Sequence, residues 1–263
     1  MITRETTWSF GGGTQSISIA VLIAQGRLPK PDCIAMADTG REASETWEYT
    51  EQRVRPLLAS MGLPLYIVRE FEGAELPDLY GGEDGETLLI PAFTREGALS
   101  TFCSGKWKRD VVARFFRSMG YGPSRPTINW VGFSLDEKRR VRADRNRWQK
   151  THYPLIWDLR MRREECRQVI KDFGFPEPPK SSCWMCPYRR NAQWRRLRDF
   201  YPQDFEKACH LDEAIRARDQ RGGVWLHESR TPLRTANIEE DENIQQLNLI
   251  DVINPCGSGM CWV

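Results

Sequence analysis

The sequence predicts an α/β protein: a doubly wound parallel sheet over residues 1–175, then a Cys-rich, mainly helical region over residues 176–263. Two observations carry this. In the first part, short apolar runs ending in Gly- or Asp-containing turns alternate with helical patterns, which implies parallel strands with helices on both faces. At Pro176-Glu177-Pro178-Pro179 the alternation stops. Beyond it come Cys183-Trp184-Met185-Cys186-Pro187 and helical segments around Trp194 and from Phe205 to Arg218.

Each element has its own signal. Trp8 and Ser9 close a first strand. Gly11-Gly12-Gly13-Thr14-Gln15-Ser16 comes next, and the apolar run Ile17 to Ala24 fits a buried helix. Cys33 to Ala37 is a short apolar run that closes on Asp38-Thr39-Gly40, as a buried parallel strand does. Glu45 to Met61 places Trp47, Val54, Leu57, Leu58 and Met61 near one side of a helix, and Leu65 to Val68 reads as the next strand. Gly73, Pro77, Gly81, Gly82 and Gly85 make residues 72–87 a loop. Lys108 to Met119 is a helix with Val111, Val112, Phe115 and Phe116 inward, and Ile128 to Phe133 is another strand. In such a sheet ligands bind beyond the strand C-terminal ends, and three candidate turns fall there: Gly11–Ser16, Asp38–Gly40 and Gly132–Asp136.

The first turn has the form of a phosphate cradle. Three glycines let backbone N–H groups close around an anion, and the helix N-terminus behind them adds a positive dipole end. Thr14 and Ser16 add hydroxyls. The segment has neither the Lys of a Walker loop nor the spacing of G-x-G-x-x-G.

Composition narrows the function classes. With 40% apolar residues, 28% charged residues and a mean hydropathy of −0.58, the chain reads as soluble. No window approaches the ~18 apolar residues of a membrane span, and Met1-Ile2-Thr3-Arg4-Glu5 carries no apolar signal region. A cytoplasmic protein without a membrane partner is expected. The net charge of +2 hides an uneven distribution: residues 138–168 hold eleven Lys or Arg against four Asp or Glu. Further on, Arg189, Arg190, Arg195, Arg196 and Arg198 have no acid among them. Such stretches suit phosphates of a nucleotide or nucleic acid, or form a solvated helix face with Arg stems on apolar surface.

Eight cysteines in a reducing compartment argue for metal or redox chemistry rather than a disulfide frame. Cys183-x2-Cys186 before Pro187 lets two thiolates converge on one ion. Cys256-x4-Cys261 is a looser pair, with Gly257 and Gly259 allowing a tight turn. Together the four make a candidate site for Zn²⁺ or a [4Fe–4S] cluster, and spacing does not choose between them. Cys33, Cys166 and Cys209 read as core residues. Cys103, before Lys106 and Lys108, reads equally as core or as site. His152, His210 and His227 show no metal spacing and no nucleophile partner, so a His-metal or Ser-His-Asp hydrolase is not expected.

Gly11–Ser16 resembles the pyrophosphate loop of the adenine nucleotide alpha-hydrolase (PP-loop ATPase) superfamily, usually S-G-G-x-D-S, with Gly11 for the first Ser and Gln15 for the Asp. Asp38-Thr39-Gly40-Arg41-Glu42 with Glu45-Thr46, and Trp130-Val131-Gly132-Phe133-Ser134-Leu135-Asp136-Glu137 with Arg140, are similar to strand ends of its phosphoadenosine-phosphosulfate reductase branch. Cys103-Ser104-Gly105-Lys106-Trp107-Lys108 falls where that branch carries a Cys-and-basic segment. The resemblance covers residues 8 to about 190.

The resemblance implies a Rossmann-like, PP-loop type of fold that binds ATP with Mg²⁺. Gly11, Gly12, Gly13, Thr14, Gln15 and Ser16 would hold the pyrophosphate. Asp38, Thr39, Gly40, Gly132 and Asp136 would complete the nucleotide pocket. Lys106, Lys108 and Arg140 would stabilise developing phosphate charge. The reaction it implies is adenylation of a substrate for sulfur transfer, with a nucleic acid or nucleoprotein complex as partner, and cluster-bearing relatives favour [4Fe–4S] over Zn²⁺.

Two alternatives stand beside this. A sulfonucleotide reductase needs a nucleophilic Cys in a C-terminal E-C-G-L-H segment, whereas here Pro255-Cys256-Gly257 lacks the Leu-His. A non-catalytic accessory protein of a mobile element fits Gln15, which removes a carboxylate that positions Mg²⁺. Replacing Gly12 and Gly13 by Val is expected to abolish ATP binding and leave the fold intact.

Overall fold

The computed structural model describes residues 4–69, 79–81, 87–99, 103–144, 146–219 and 223–239. Cys256 and Cys261 lie outside the described residues, as does most of the loop at 72–87.

Five parallel strands form the central sheet. They are β1 (Glu5–Ser9), β2 (Cys33–Asp38), β3 (Leu65–Arg69), β8 (Thr127–Val131) and β9 (Gln149–His152), in the order β3-β2-β1-β8-β9. Every pairing among them is parallel, with Trp8 opposite both Ile34 and Trp130. The chain runs outward from β1 through β2 to β3, then returns to the other side of β1 as β8. Direction of winding therefore switches at β1, the position at which open α/β sheets build their sites.

All six residues of β2 are buried, because both faces of this strand are covered. Its alternate side chains serve two cores. Ile34 and Met36 join Trp8, Leu65 and Trp130 against helices α1 (Thr14–Ala24), α3 (Arg55–Ser60) and α6 (Arg163–Asp172). Cys33, Ala35 and Ala37 face the opposite way, against Val111, Val112 and Phe116 of α4 (Asp110–Ser118). The sheet is thus wound on both faces, as the sequence predicts. Ten residues of α1 are buried, in keeping with a helix that is apolar all round.

The helix expected from Glu45 to Met61 is α2 (Ser44–Tyr49), a wider π turn over Thr50–Val54, and α3 in one run. Pro56 near the start of α3 lacks an N–H and presses on the preceding turn, which the wider turn accommodates.

Three features were not expected. β9 reads Gln149-Lys150-Thr151-His152 and carries no apolar alternation, yet it pairs with β8 along the sheet edge. Within the predicted loop, β4 (Tyr80–Gly81) pairs with β5 (Thr87–Leu88) in an antiparallel bridge. β6 (Phe93–Thr94) pairs with β7 (Gly97–Ala98) and, from far along the chain, with β10 (Val224–Trp225).

The later part of the chain adds α7 (Asn191–Phe200) and α8 (Pro202–Arg218), with the short α5 (Pro154–Trp157) preceding α6. Trp194, Leu197, Phe205, Ala208 and Leu233 build a core there that includes Ala43 from the first part. Asp204 accepts a hydrogen bond from the Ser44 N–H at 2.7 Å, and Trp184 N–H donates to the Arg41 carbonyl at 2.9 Å. These contacts bring the Cys183 segment to the C-terminal edge of β2.

Candidate functional site

Gly13 caps α1 in an extended conformation (φ −97°, ψ 175°), and no side chain caps the helix. The first helical N–H groups have no partner one turn back, so they form the expected donor cluster at the strand edge. Gly12 sits at φ +71°, and a Cβ there would lie 3.0 Å from Thr46 Cγ2, 3.1 Å from Met36 Cε and 3.3 Å from Ser181 Oγ. Glycine is required at this point on both counts. Valine at position 12 is therefore a fold mutation as well as a site mutation, which corrects the expectation that the loop tolerates it. Gly132 plays a matching role: a Cβ there would meet Ser16 Oγ at 2.9 Å and Ser16 N at 3.0 Å, so its absence lets the turn after β8 lie against the start of α1.

The loop is tied down from three directions. Gly11 N–H donates to Ser16 Oγ at 3.1 Å. Ser181, which sequence reasoning passed over, donates from Oγ to the Gly11 carbonyl at 2.5 Å. Gln15 Nε2 donates to Glu137 Oε2 at 2.6 Å. Thr14 is buried beside them. A carboxylate thus stands next to position 15 after all, supplied from 122 residues away. Glu137 is nonetheless fully engaged. Its Oε2 also lies 3.3 Å from the Ser134 N–H, and its Oε1 pairs with Arg140.

An open pocket beyond β1 and β2 is lined by Phe10, Gly11, Met36, Ala37, Lys108 and Arg109. Of the expected site residues, Gly11 and Lys108 line this pocket and the others do not. Arg140, expected to face phosphate, is buried: it pairs with Glu137 and lies over the Phe133 ring at 4.2 Å. Asp136 points away, accepting the Arg163 N–H at 2.6 Å at the start of α6. Lys106 is exposed and does not line the pocket.

Lys108 does reach the pocket. The apolar floor and two cations there suit a flat ring with an attached anion. Lys108 Nζ lies 2.6 Å from Glu42 Oε1, with the two side chains 18% and 1% exposed. Burial alone would pull the Lys108 ammonium down. Glu42, with Cys183 and Cys103 behind it, outweighs burial and holds the lysine charged, above its ordinary range. Glu42 Oε2 is buried with no hydrogen-bond partner among the described residues.

The Asp38 turn closes this side. Asp38 Oδ1 accepts the Gly40 N–H at 2.7 Å, and Oδ2 accepts Arg69 Nε at 2.6 Å. Gly40 takes φ +70°, the left-handed region that glycine enters freely. Thr39 Oγ1 accepts the Arg41 N–H at 3.2 Å and lies 3.6 Å from Cys183 Sγ. With both Asp38 oxygens used and an amide at position 15, the described residues at this edge present no unengaged carboxylate pair for Mg²⁺.

Cys183 and Cys186 stand in one tight turn, with Cys186 N–H donating to the Cys183 carbonyl at 3.0 Å. Burial, reinforced by Glu42 at 3.8 Å, pushes the Cys183 thiol well above the ordinary range, and Lys108 opposes this only in part. Cys103 and Cys186 are both near enough to act on Cys183 electrostatically. Among the described residues no group of three or more His, Cys, Asp or Glu side chains is placed to hold a metal. The described part of the Cys site is therefore a two-thiol turn.

Cys33 and Cys166 are buried and their thiols are pushed up to about 11 by burial. Cys209 is pushed to about 12, again by burial. All three behave as core residues. No helix among the described residues is long and apolar enough to cross a membrane. No protein-family model matches the chain, and no curated protein matches it either.

Proposed function

We propose that the chain is a PP-loop type, ATP-binding protein that adenylates a substrate, with sulfur transfer to a nucleic acid as the reaction it serves. One observation carries this reading: the uncapped N-terminus of α1, the Gly12 turn and the lined pocket beyond β1 and β2 meet where the sheet changes its direction of winding. In this reading the Gly11–Ser16 amides hold the pyrophosphate, as helix N-termini hold anions. Phe10, Met36 and Ala37 take the purine, while Lys108 and Arg109 face the phosphates. Lys108 stays charged through Glu42, so it stabilises phosphate charge without moving a proton. Mg²⁺ would arrive with the nucleotide, held mainly by phosphate oxygens. A cluster or zinc held at Cys183 and Cys186, if the tail supplies the remaining ligands, would provide soft-metal sulfur chemistry.

A second reading is favoured by the Gln15–Glu137 bond. The loop position that carries Asp in the superfamily is here an amide engaged by a carboxylate that is itself paired with Arg140. That arrangement suits a non-catalytic accessory protein that binds ATP without turning it over.

ATP titration with pyrophosphate detection separates the readings. Gly13 is extended, a conformation valine adopts, so Gly13→Val crowds the cradle without strain at φ. Micromolar ATP binding by the wild type is expected, with at least a tenfold loss in a Gly13→Val protein that keeps its melting temperature. No ATP binding by the wild type would end both readings. Binding without pyrophosphate release across nucleic acid acceptors would select the second.

A further inference from the structure

We infer that the surface formed by residues 135–142 and 157–163 is a docking site for single-stranded nucleic acid. The inference rests on the proposed nucleic acid acceptor and gives it a place on the molecule. The two segments are one surface: Leu135 N–H donates to the Met161 carbonyl at 2.8 Å, and Asp136 accepts the Arg163 N–H at 2.6 Å. They carry more Lys and Arg than Asp and Glu, seven against three.

The acids are consumed locally. Asp136 caps α6, Glu137 holds Gln15 and Arg140, and Asp158 pairs with His152 at 2.8 Å. Of the cations, Arg140 pairs with Glu137 and Arg142 donates to the Arg139 and Val141 carbonyls. Lys138, Arg139, Arg160, Arg162 and Arg163 are all exposed. Arg139, Arg160 and Arg163 have no side-chain hydrogen bond or ion pair among the described residues. Trp157 stands in their midst, 48% exposed, with the Lys138 ammonium 5.7 Å from its ring.

An exposed indole amid unpaired cations matches a flexible phosphodiester strand: the cations follow the backbone and the indole takes a base by stacking. A duplex hides its base faces, so it would use the charges and leave Trp157 unused. A membrane surface is a poorer match, since one aromatic side chain without an amphipathic helix buries little apolar area. The surface adjoins the Gln15–Glu137 contact, which places a bound strand beside the start of α1.

Fluorescence anisotropy with a labelled oligothymidylate of about 20 nucleotides tests this, at several salt concentrations and without ATP. The single strand should bind, more tightly than a duplex of the same length. The Arg139→Ala, Arg163→Ala double variant should lower the slope of log affinity against log salt by about 1.4, near 0.7 for each phosphate left without its cation. Trp157→Ala should weaken binding by about fivefold or more while leaving that slope unchanged. A charge-matched Arg27→Ala, Arg53→Ala control, away from this surface, should bind as the wild type does, and all variants are compared at equal melting temperature.

Absence of binding, preference for duplex, equal loss in the control, or binding to phosphatidylserine vesicles rather than to the oligonucleotide would each overturn the inference. Because ATP is absent from the measurement, such a failure would leave the ATP-binding reading standing.

Discussion

Residues 138–167 and 189–198 look alike in sequence, both being rich in arginine, and the fold uses them in opposite ways. In the second stretch the guanidinium groups are structural. Arg189 is fully buried and donates to Glu45 at 3.3 Å, and Arg196 reaches the other oxygen of Glu45 at 2.9 Å. Arg195 donates to the carbonyls of Ile238 and Glu239, and Arg198 pairs with Asp199 and Glu239. These bonds tie α7 to α2 and to the chain beyond residue 237. In the first stretch Arg140 is similarly internal, but Arg139, Arg160 and Arg163 face water. Arginine content is therefore a poor guide to a binding surface. What decides is whether acids or carbonyls from elsewhere in the chain reach the guanidinium groups.

The contrast can be broken at Glu45. Glu45→Ala leaves Arg189 buried without its carboxylate, and breaking a buried pair in this way costs about 3–5 kcal/mol. Chemical denaturation should show that loss, and a change below about 1 kcal/mol would mean that α7 is not held by this pair.

A pH titration sharpens the same contrast. His227 is buried, and its Nδ1 accepts the Ser229 N–H at 3.2 Å, so the ring proton is on Nε2, 2.9 Å from Asn191 Oδ1 at the start of α7. Burial lowers the pKa of His227, so the folded protein keeps the ring neutral. The unfolded chain takes up a proton below about pH 6.5, which means that stability falls as pH drops through that range. His227→Gln should flatten the dependence. An unaltered slope between pH 7 and about 5 would show that this histidine is not the group responsible.

The smallest effect is expected at the exposed surface. Arg139→Ala and Arg163→Ala should each change the unfolding free energy by less than about 0.5 kcal/mol, as substitutions away from buried contacts do. A larger loss in thermal or chemical denaturation would mean that these side chains brace the fold, and the two stretches would no longer differ in kind.

Sequence reading reached some parts of the site and missed others for identifiable reasons. The Gly11–Ser16 turn and the Asp38 turn were legible because each is coded within a few residues: a strand run, a glycine at positive φ, a helix start. Gln15 looked like a simple loss of a carboxylate, because nothing local shows that Glu137 lies against it. Arg140, Asp136 and Lys106 were assigned to the pocket by their place in a motif, and a motif says nothing about which neighbour a side chain prefers. Ser181 carried no pattern of its own, and Glu42 stood in the Asp38 motif without a role. They matter because the Cys183 segment folds back onto the end of β2.

What the sequence determined by itself is the local grammar: apolar runs that must be buried on two faces, glycines where the backbone turns left, helices apolar all round that must lie inside. Hydrophobic burial and backbone sterics act over a few residues, so they leave their mark in the order of residues. Tertiary structure alone decided which charges meet. Gln15 with Glu137, Arg189 with Glu45, Lys108 with Glu42 and the addition of β9 as an edge strand all depend on segments that the fold brings together. An ion pair or an edge pairing takes its energy from a partner's position in space. For Gln15 that partner lies 122 residues away, and for Arg189 it lies 144 residues away.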